Sequence, residues 1–290
     1  MEKDKNSFKL HTYTYDVKIG NNTENRKLKF DGFSLKGNVD LTHLGKATGE
    51  AMWPCCALLA DYISSPTDFV CVPQMSLSTT VLEPTTIRKN DELLPRLQIL
   101  ELGCGLGLGG TVASIRVGSL GHTVLTDGDL SVIERAKEMS KKNYTAGKDS
   151  KVSHGVLRWG DYIEMQKIKA ATDDGLGFDF IVASDILYEK DSLKIAKDFA
   201  LTVKMLLKDK AIDGFDPNLT FPKCIVAFQK RSIDVQLLYD AFHKVGFDNY
   251  VPSGDYCEDI FGERHDCFTC FTDKFLICFQ PHQQKVDTSE

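Results

Sequence analysis

The sequence lacks a long apolar run and an apolar start. No stretch of its 290 residues reaches the roughly 18 consecutive apolar residues that a membrane helix needs. The first ten residues are too polar for a secretory signal peptide, and the residue after Met1 is not the glycine that myristoylation requires. We therefore expect a soluble, cytoplasmic protein, with the nucleus as a second compartment and with no membrane partner.

The chain also lacks an excess of positive charge. The formal net charge is -6, which weighs against a nucleic-acid substrate because such substrates call for a broad basic surface. The hydrophobic fraction of 42% and the charged fraction of 26% are ordinary for a globular protein with a sizeable core. The length suits one large domain, or a core domain with a small appendage.

The cysteine pattern favours reduced thiols over a disulfide framework. The chain has nine cysteines, an odd number, and most lie in hydrophobic contexts such as Cys55-Cys56. Cys267 and Cys270 have the spacing of metal ligands. Residues 267–279 look like a strand, however, in which residues three apart point to opposite faces. We therefore expect core cysteines and no metal.

The hydrophobic pattern divides the chain into three parts. Period-two alternation at 11–19 and 27–35, with glycine and asparagine between them, predicts a β-hairpin. This hairpin makes 1–44 an accessory segment, followed by one domain over 45–280 and a disordered polar tail over 281–290. Two stretches without a clear period are predicted as surface insertions, near 64–92 and 208–222.

Strands and helices alternate along the domain. Strands are predicted at 97–102, 122–126, 152–157, 178–183 and 224–228, with a closing antiparallel pair at 247–251 and 267–279. Helices are predicted at 52–63, 108–117, 130–144, 193–207 and 235–245. Repeated β-α-β units predict an α/β fold: a doubly wound, Rossmann-like seven-stranded sheet with an antiparallel last strand, plus the N-terminal hairpin and a helix.

A glycine-rich turn follows the first strand of the domain. Residues 105–110 match the dinucleotide pattern G-x-G-x-x-G, but the strand ends at Leu102, so the turn runs from Gly103 through Gly105 to Gly107. Glu101 precedes it. An acid there suits the ammonium group of S-adenosylmethionine and would repel a pyrophosphate. A dinucleotide site and a turn without a ligand remain the alternatives.

Acidic residues end two further strands. Asp127, about 20 residues past the turn, stands where the hydroxyls of an adenosine ribose are bound, whichever cofactor carries it. Asp129 is a competitor that we expect to cap the next helix. Asp185 and Tyr188 follow the fourth strand, where enzymes that methylate base amines carry a Pro-Pro pair that this chain lacks. This acid and aromatic could bind an amine by charge and cation–π contact, or could be a helix cap and a packing residue.

The combined motifs resemble methyltransferase family 16, a group of seven-stranded enzymes rich in protein-lysine methyltransferases. The segments that carry the resemblance are Thr48-Gly-x-x-x-Trp53-Pro, Glu101-x-Gly-x-Gly-x-Gly107, Thr126-Asp127, Arg158-Trp159-Gly160 and Ser184-Asp-Ile-Leu-Tyr188. The resemblance covers roughly residues 40–279. It implies a cofactor site formed by Trp53, Gly103, Gly105, Asp127, Trp159 and Ser184, with Asp185 and Tyr188 facing the substrate amine. The chain departs from the group in its two long insertions, and at Ser184, where a small apolar residue is common.

From the motifs and the resemblance together we expect S-adenosylmethionine as cofactor and a lysine side chain of a protein, such as a translation factor or chaperone, as substrate. We expect no nucleic-acid partner. Alternative substrates are histidine, RNA or a small molecule. An NAD-dependent oxidoreductase and a scaffold without activity are further alternatives.

Overall fold

We analysed the fold in a computed structural model. The structure describes residues 10–19, 24–33, 49, 51–64, 88–89, 92–93, 96–145, 149–187, 192–209, 222–229, 234–250 and 274–282. No helix in these ranges is long and apolar enough to cross a membrane.

The strands and helices follow the predicted alternation. The strands are β1 Leu10–Ile19, β2 Glu24–Phe33, β3 Arg88–Lys89, β4 Glu92–Leu93, β5 Leu97–Leu102, β6 Gly121–Asp127, β7 Lys151–Val156, β8 Phe180–Ser184, β9 Lys223–Gln229, β10 Phe247–Tyr250 and β11 Lys274–Pro281. The helices are α1 Pro54–Ser64, α2 Leu108–Val117, α3 Leu130–Asn143, α4 Tyr162–Ala170, α5 Ser192–Leu206 and α6 Gln236–Lys244.

Seven of these strands form the central sheet, in the order β10-β11-β9-β8-β5-β6-β7. β5, β6, β7, β8 and β9 are mutually parallel, whereas β11 pairs antiparallel with both β9 and β10. The predicted doubly wound, Rossmann-like sheet with an antiparallel last strand is therefore confirmed. Because the five parallel strands share one direction, the loops after them meet at a single edge.

The two faces of the sheet bury separate cores. Along β5, Leu97 and Ile99 belong to the core that contains α1 and α2, and Leu100 and Leu102 belong to the core that contains α5 and α6. This alternation follows from the two-residue period of a strand, and burial on both faces explains why β5 reads as a continuous apolar run.

The predicted N-terminal hairpin is also confirmed, because β1 and β2 pair antiparallel over their full lengths. Its inner face packs Leu28 and Phe30 into the α1 and α2 core. The side chain of Asn143, at the end of α3, donates to the Lys29 carbonyl and accepts from the Lys29 N–H, both at 2.9 Å. The hairpin is thus attached to the domain by apolar packing and by backbone contacts.

One helix and two short strands were not predicted. α4 has a weak apolar pattern, but Asp161 caps it by accepting the N–H of Glu164 at 3.0 Å, an acid-x-x-Glu signal that marks a helix start. β3 and β4 pair at the end of the predicted 64–92 insertion. Three stretches lie outside the described residues: 267–273, most of the 208–222 insertion, and 283–290. The Cys267 and Cys270 pair therefore also lies outside them.

Candidate active site

A cavity of about 450 Å³ opens at the carboxyl edge of the sheet. Its walls come from the turn after β5, the ends of β6 and β8, the segment after β7 and the chain leading into α1. Seven of the nine predicted cofactor and substrate residues line it: Trp53, Gly103, Gly105, Asp127, Trp159, Ser184 and Asp185. The fold therefore brings these seven residues, which are spread over 133 positions of the chain, to one site.

The glycine turn after β5 has a backbone that side chains rarely tolerate. Gly103 and Gly105 have φ values of 68° and 51°, in the left-handed region. A Cβ on Gly103 would lie 3.3 Å from the Trp159 ring, and one on Gly105 would lie 3.3 Å from the Gly49 carbonyl oxygen. Glycine at both positions keeps the floor of the cavity open.

Asp127 ends β6 and is held in place by backbone amides. One carboxylate oxygen accepts the N–H of Gly105 at 3.3 Å, and the other accepts the N–H of Asp129 at 3.1 Å. Burial raises the pKa of Asp127, and these backbone donors oppose the rise. Asp129 accepts the N–H of Ser131 at 2.8 Å and is the N-cap of α3, as predicted.

Both tryptophans of the chain contribute to the cavity wall. Trp159 follows β7, is half-buried, and places its ring beside the Gly103 turn and against the edge of Phe199, with ring centroids 5.0 Å apart. Trp53 immediately precedes α1, and its carbonyl accepts the N–H of Cys56 at 3.1 Å. A flat apolar ligand group can pack against such indole surfaces.

The end of β8 is connected directly to the start of α1. Asp185 is only 7% exposed, and its Oδ2 accepts the N–H of Cys55 at 3.1 Å. Ser184 Oγ lies 3.2 Å from the sulfur of Cys56. Among the described residues, Asp185 is the one non-glycine with a left-handed φ, at 51°. We refer to these contacts of Ser184 and Asp185 with α1 as the β8–α1 contacts.

Cys56 is a lining residue that sequence reasoning missed, since its apolar context predicted only core packing. Burial, reinforced by Asp185 and Glu101, raises its pKa to about 12, although the Ser184 hydroxyl opposes the rise. The thiol therefore stays protonated at neutral pH. All five described cysteines are free thiols, and no three metal-ligating side chains gather within the described ranges.

Glu101 is placed differently from the other predicted cofactor residues. Its side chain points to the α2 side of the sheet, is 2% exposed, and accepts the N–H of Gly110 at 2.9 Å. Burial, with some contribution from Asp127, raises its pKa to about 8. At neutral pH this carboxyl is mostly uncharged and is not among the lining residues. Tyr188 lies outside the described residues.

The charge of the cavity fits a cationic ligand. Its described lining residues include three acids, Asp127, Asp129 and Asp185, and one cation, Arg158, which is paired with Glu164 at 2.8 Å. A sulfonium and an ammonium group match this balance, whereas a pyrophosphate would meet mainly negative charge. The open glycine turn, Asp127 and the indole surfaces are the groups that would hold the ribose, adenine and methionine parts of S-adenosylmethionine.

Comparison with solved structures gives distant similarities. Fibrillarin from Aeropyrum pernix, in complex with natively bound S-adenosyl-L-methionine, is 16% identical over 64% of this chain and 67% of that chain, with a TM-score of 0.40. TrmN from Thermus thermophilus is 12% identical over 65% and 45%, with a TM-score of 0.42. A comparison with curated proteins found no match.

The sequence model of one family, described as lysine methyltransferase, matches residues 39–212. The match covers more than half of the chain and includes the glycine turn, both tryptophans, Asp127 and Asp185. The cofactor is S-adenosylmethionine, in agreement with the acidic, glycine-floored cavity. The chain belongs to the lysine methyltransferase family.

Proposed function

We propose that this protein transfers a methyl group from S-adenosylmethionine to a lysine side-chain amine of a protein substrate, in the cytoplasm or nucleus. The observation that carries the proposal is Asp185, an acid on the wall of the cofactor cavity, in a chain of the lysine methyltransferase family. A buried carboxylate beside the cofactor suits an incoming ammonium group, since it offsets part of the cost of removing that charge from water.

The proposed role of each residue is based on the position of its side chain. When bound, the cofactor supplies an activated methyl group on a sulfonium leaving group. Gly103, Gly105 and Asp127 would hold the cofactor at the floor of the cavity, and the Trp159 ring lies beside the Gly103 turn. Asp185 lies at the end of β8, where it can orient an amine by accepting its hydrogen bond.

The substrate nitrogen must lose a proton before it can react. A free lysine has a pKa of about 10.4, so almost all of it is charged at neutral pH. Burial beside a positive sulfonium lowers that pKa, whereas Asp185 raises it by stabilising the ammonium form. Asp185 therefore acts in docking and orientation, and the proton leaves to water.

The test must separate the charge of Asp185 from its hydrogen bond to α1. Asp185→Asn removes the charge but keeps a side-chain oxygen for the Cys55 N–H, and asparagine tolerates a left-handed φ. We expect this variant to lose at least about 100-fold in methyl transfer, consistent with loss of a positioned charge, and to bind S-adenosylmethionine within a few-fold of wild type. Asp240→Asn, an exposed change of equal charge on α6, is the matched control.

Methyl transfer is measured with labelled S-adenosylmethionine and a lysate from cells that lack the enzyme. RNase treatment and mass spectrometry then identify the labelled residue. Label on a protein lysine that depends on Asp185 supports the proposal. Label on histidine, or label that RNase removes, would replace the proposed substrate, and unchanged turnover in Asp185→Asn would exclude the carboxylate from the reaction.

A further inference from the structure

A second cavity lies at the opposite edge of the sheet from the active site. Its volume is about 570 Å³. It is bordered by Arg96 just before β5, by Lys151 at the start of β7 and by the C-terminal half of α3. β7 has six residues, so the two edges are separated by about 20 Å at 3.3 Å per residue. A molecule bound here is not the reacting group at the cofactor. We call this cavity the basic groove.

The charge of the basic groove contrasts with the chain as a whole, whose net charge is -6. Its described lining residues include four cations, Arg96, Lys137, Lys141 and Lys151, and one anion, Asp149. Asp149 is already paired with Arg26 at 2.5 Å, so it does not neutralise the groove.

Three of the four cations remain available. Lys137 is paired with Glu134 at 2.6 Å. Arg96, Lys141 and Lys151 are exposed, and no acidic side chain in the described part of the chain lies within 4.0 Å of their charged groups. Three like charges facing one concave surface repel each other, and an anionic ligand would remove that repulsion.

The inner surface of the groove is uncharged and partly apolar. His154, on β7, is hydrogen-bonded to Ser140 at 3.0 Å, and burial lowers its pKa to about 4, so it is neutral at pH 7. Tyr144, at the end of α3, is 42% exposed. The positive charge is thus concentrated at the rim, above a floor that can contact side chains or backbone.

β7 forms one side of the groove and is the last strand of the described sheet. It pairs with β6 on one side, and its residues after Lys151 are all partly exposed. Val152 and His154 both line the groove, and residues two apart lie on one face of a strand, so the groove lies over a face of the sheet. Single-stranded nucleic acid is bound by several stacking aromatics, and the described lining residues provide only Tyr144.

We propose that the basic groove binds an acidic segment of a polypeptide in extended form. Contacts of its carboxylates with Arg96, Lys141 and Lys151 would hold such a segment. That this segment belongs to the methylated protein rests on the proposed function, whereas the binding itself does not. The groove would then recruit a substrate through a surface remote from the reacting lysine.

The test measures binding without methyl transfer, so its result is independent of the proposed function. The probe is a fluorescein-labelled decapeptide of alternating glutamate and threonine, followed by fluorescence anisotropy at low salt. Lys141→Gln with Lys151→Gln removes two groove charges. The matched control, Lys167→Gln with Lys197→Gln, removes two exposed charges from α4 and α5, outside the groove. Thermal unfolding shows that both variants are folded.

We expect saturable binding that weakens as salt is added, because exposed charges are screened within about 10 Å at 0.1 M salt. The groove variant should bind roughly five- to tenfold more weakly and the control variant should not change. Absence of binding, or equal weakening in both variants, would overturn the proposal. Tighter binding of a ten-nucleotide oligouridylate than of the acidic peptide would also overturn it, in favour of a nucleic-acid site.

Discussion

Replacing Glu101 with glutamine tests whether its buried carboxyl is protonated at neutral pH. The carboxyl of Glu101 is 2% exposed and accepts the N–H of Gly110 at 2.9 Å. Burial, with the nearby charge of Asp127, raises its pKa to about 8. Glutamine has nearly the same shape, and its carbonyl can accept the same N–H. Glu101→Gln therefore removes one proton equilibrium and changes little else.

The sign of the effect follows from proton binding in the two states. Unfolded Glu101 has its ordinary pKa of 4.5, so between pH 4.5 and about 8 the folded chain keeps a proton that the unfolded chain has lost. The free energy of unfolding therefore falls as pH rises through this window. For one such group the fall between pH 6.5 and 8 is about 1.6 kcal/mol, at 1.36 kcal/mol per pKa unit.

Two histidines act in the opposite direction, but over a lower range. Burial lowers the pKa of His122 and His154 from 6.5 to about 4. Each therefore makes the folded chain more stable as pH rises from about 4 to 6.5 and adds little above that value. Both histidines are unchanged in Glu101→Gln, so the difference between this variant and the wild type from pH 6.5 to 8 isolates the contribution of Glu101.

The assay is urea unfolding at several pH values in that interval, followed by tryptophan fluorescence, since both tryptophans line the active-site cavity. We expect the wild type to lose stability relative to Glu101→Gln as pH rises. Glu138→Gln, an exposed change of equal charge on α3, should keep the wild-type profile. If the free energy of unfolding changes with pH in the same way for the wild type and Glu101→Gln, the conclusion that Glu101 is buried and protonated is refuted.

Two further substitutions test the turn and the helix that follow β5 and β6. Gly103→Ala places a Cβ 3.3 Å from the Trp159 ring and should weaken S-adenosylmethionine binding at least roughly tenfold by calorimetry. Gly175→Ala is the control, because Gly175 has the same φ of 68° and a Cβ built there would have no atom within 4 Å. This variant should affect stability alone. Equal loss of S-adenosylmethionine binding in both variants would contradict the steric explanation. Asp129→Ala removes the acceptor for the Ser131 N–H and should lower the free energy of unfolding by about 1 kcal/mol. Asp129→Asn keeps a side-chain oxygen and should retain most of the wild-type stability. Urea unfolding measures the free energy of unfolding of both variants. Wild-type stability in Asp129→Ala would show that the Asp129 side chain does not stabilise the start of α3.

The secondary structure was predictable where burial gives a strong local signal. β5 and α2 have the predicted bounds, because a run of buried residues leads directly into a glycine turn and a helix. α4 was missed, because its exposed residues include Tyr162 and Ile163, at 61% and 66%, which obscure the helical period. Its cap, Asp161, was the available signal.

The composition of the site was predictable, but the direction of each side chain was not. Acids at strand ends and a glycine turn identify the edge that holds the ligand. Both faces of β5 are buried, so the pattern alone does not tell whether Glu101 faces the cavity or α2. The Asp185 bond to Cys55 joins residues 130 positions apart, and no local pattern encodes a contact of that range.

The β8–α1 contacts imply that Asp185, the acid proposed to orient the substrate amine, also supports the wall of the cavity. Asp185 holds the first turn of α1, and that turn begins just after Trp53, which lines the cavity. Removing the whole carboxylate in Asp185→Ala leaves the Cys55 N–H without this acceptor and loosens the same turn. We therefore expect the alanine variant, unlike Asp185→Asn, to weaken S-adenosylmethionine binding as well as methyl transfer. Equal cofactor affinity in the two variants would show that α1 holds Trp53 without Asp185.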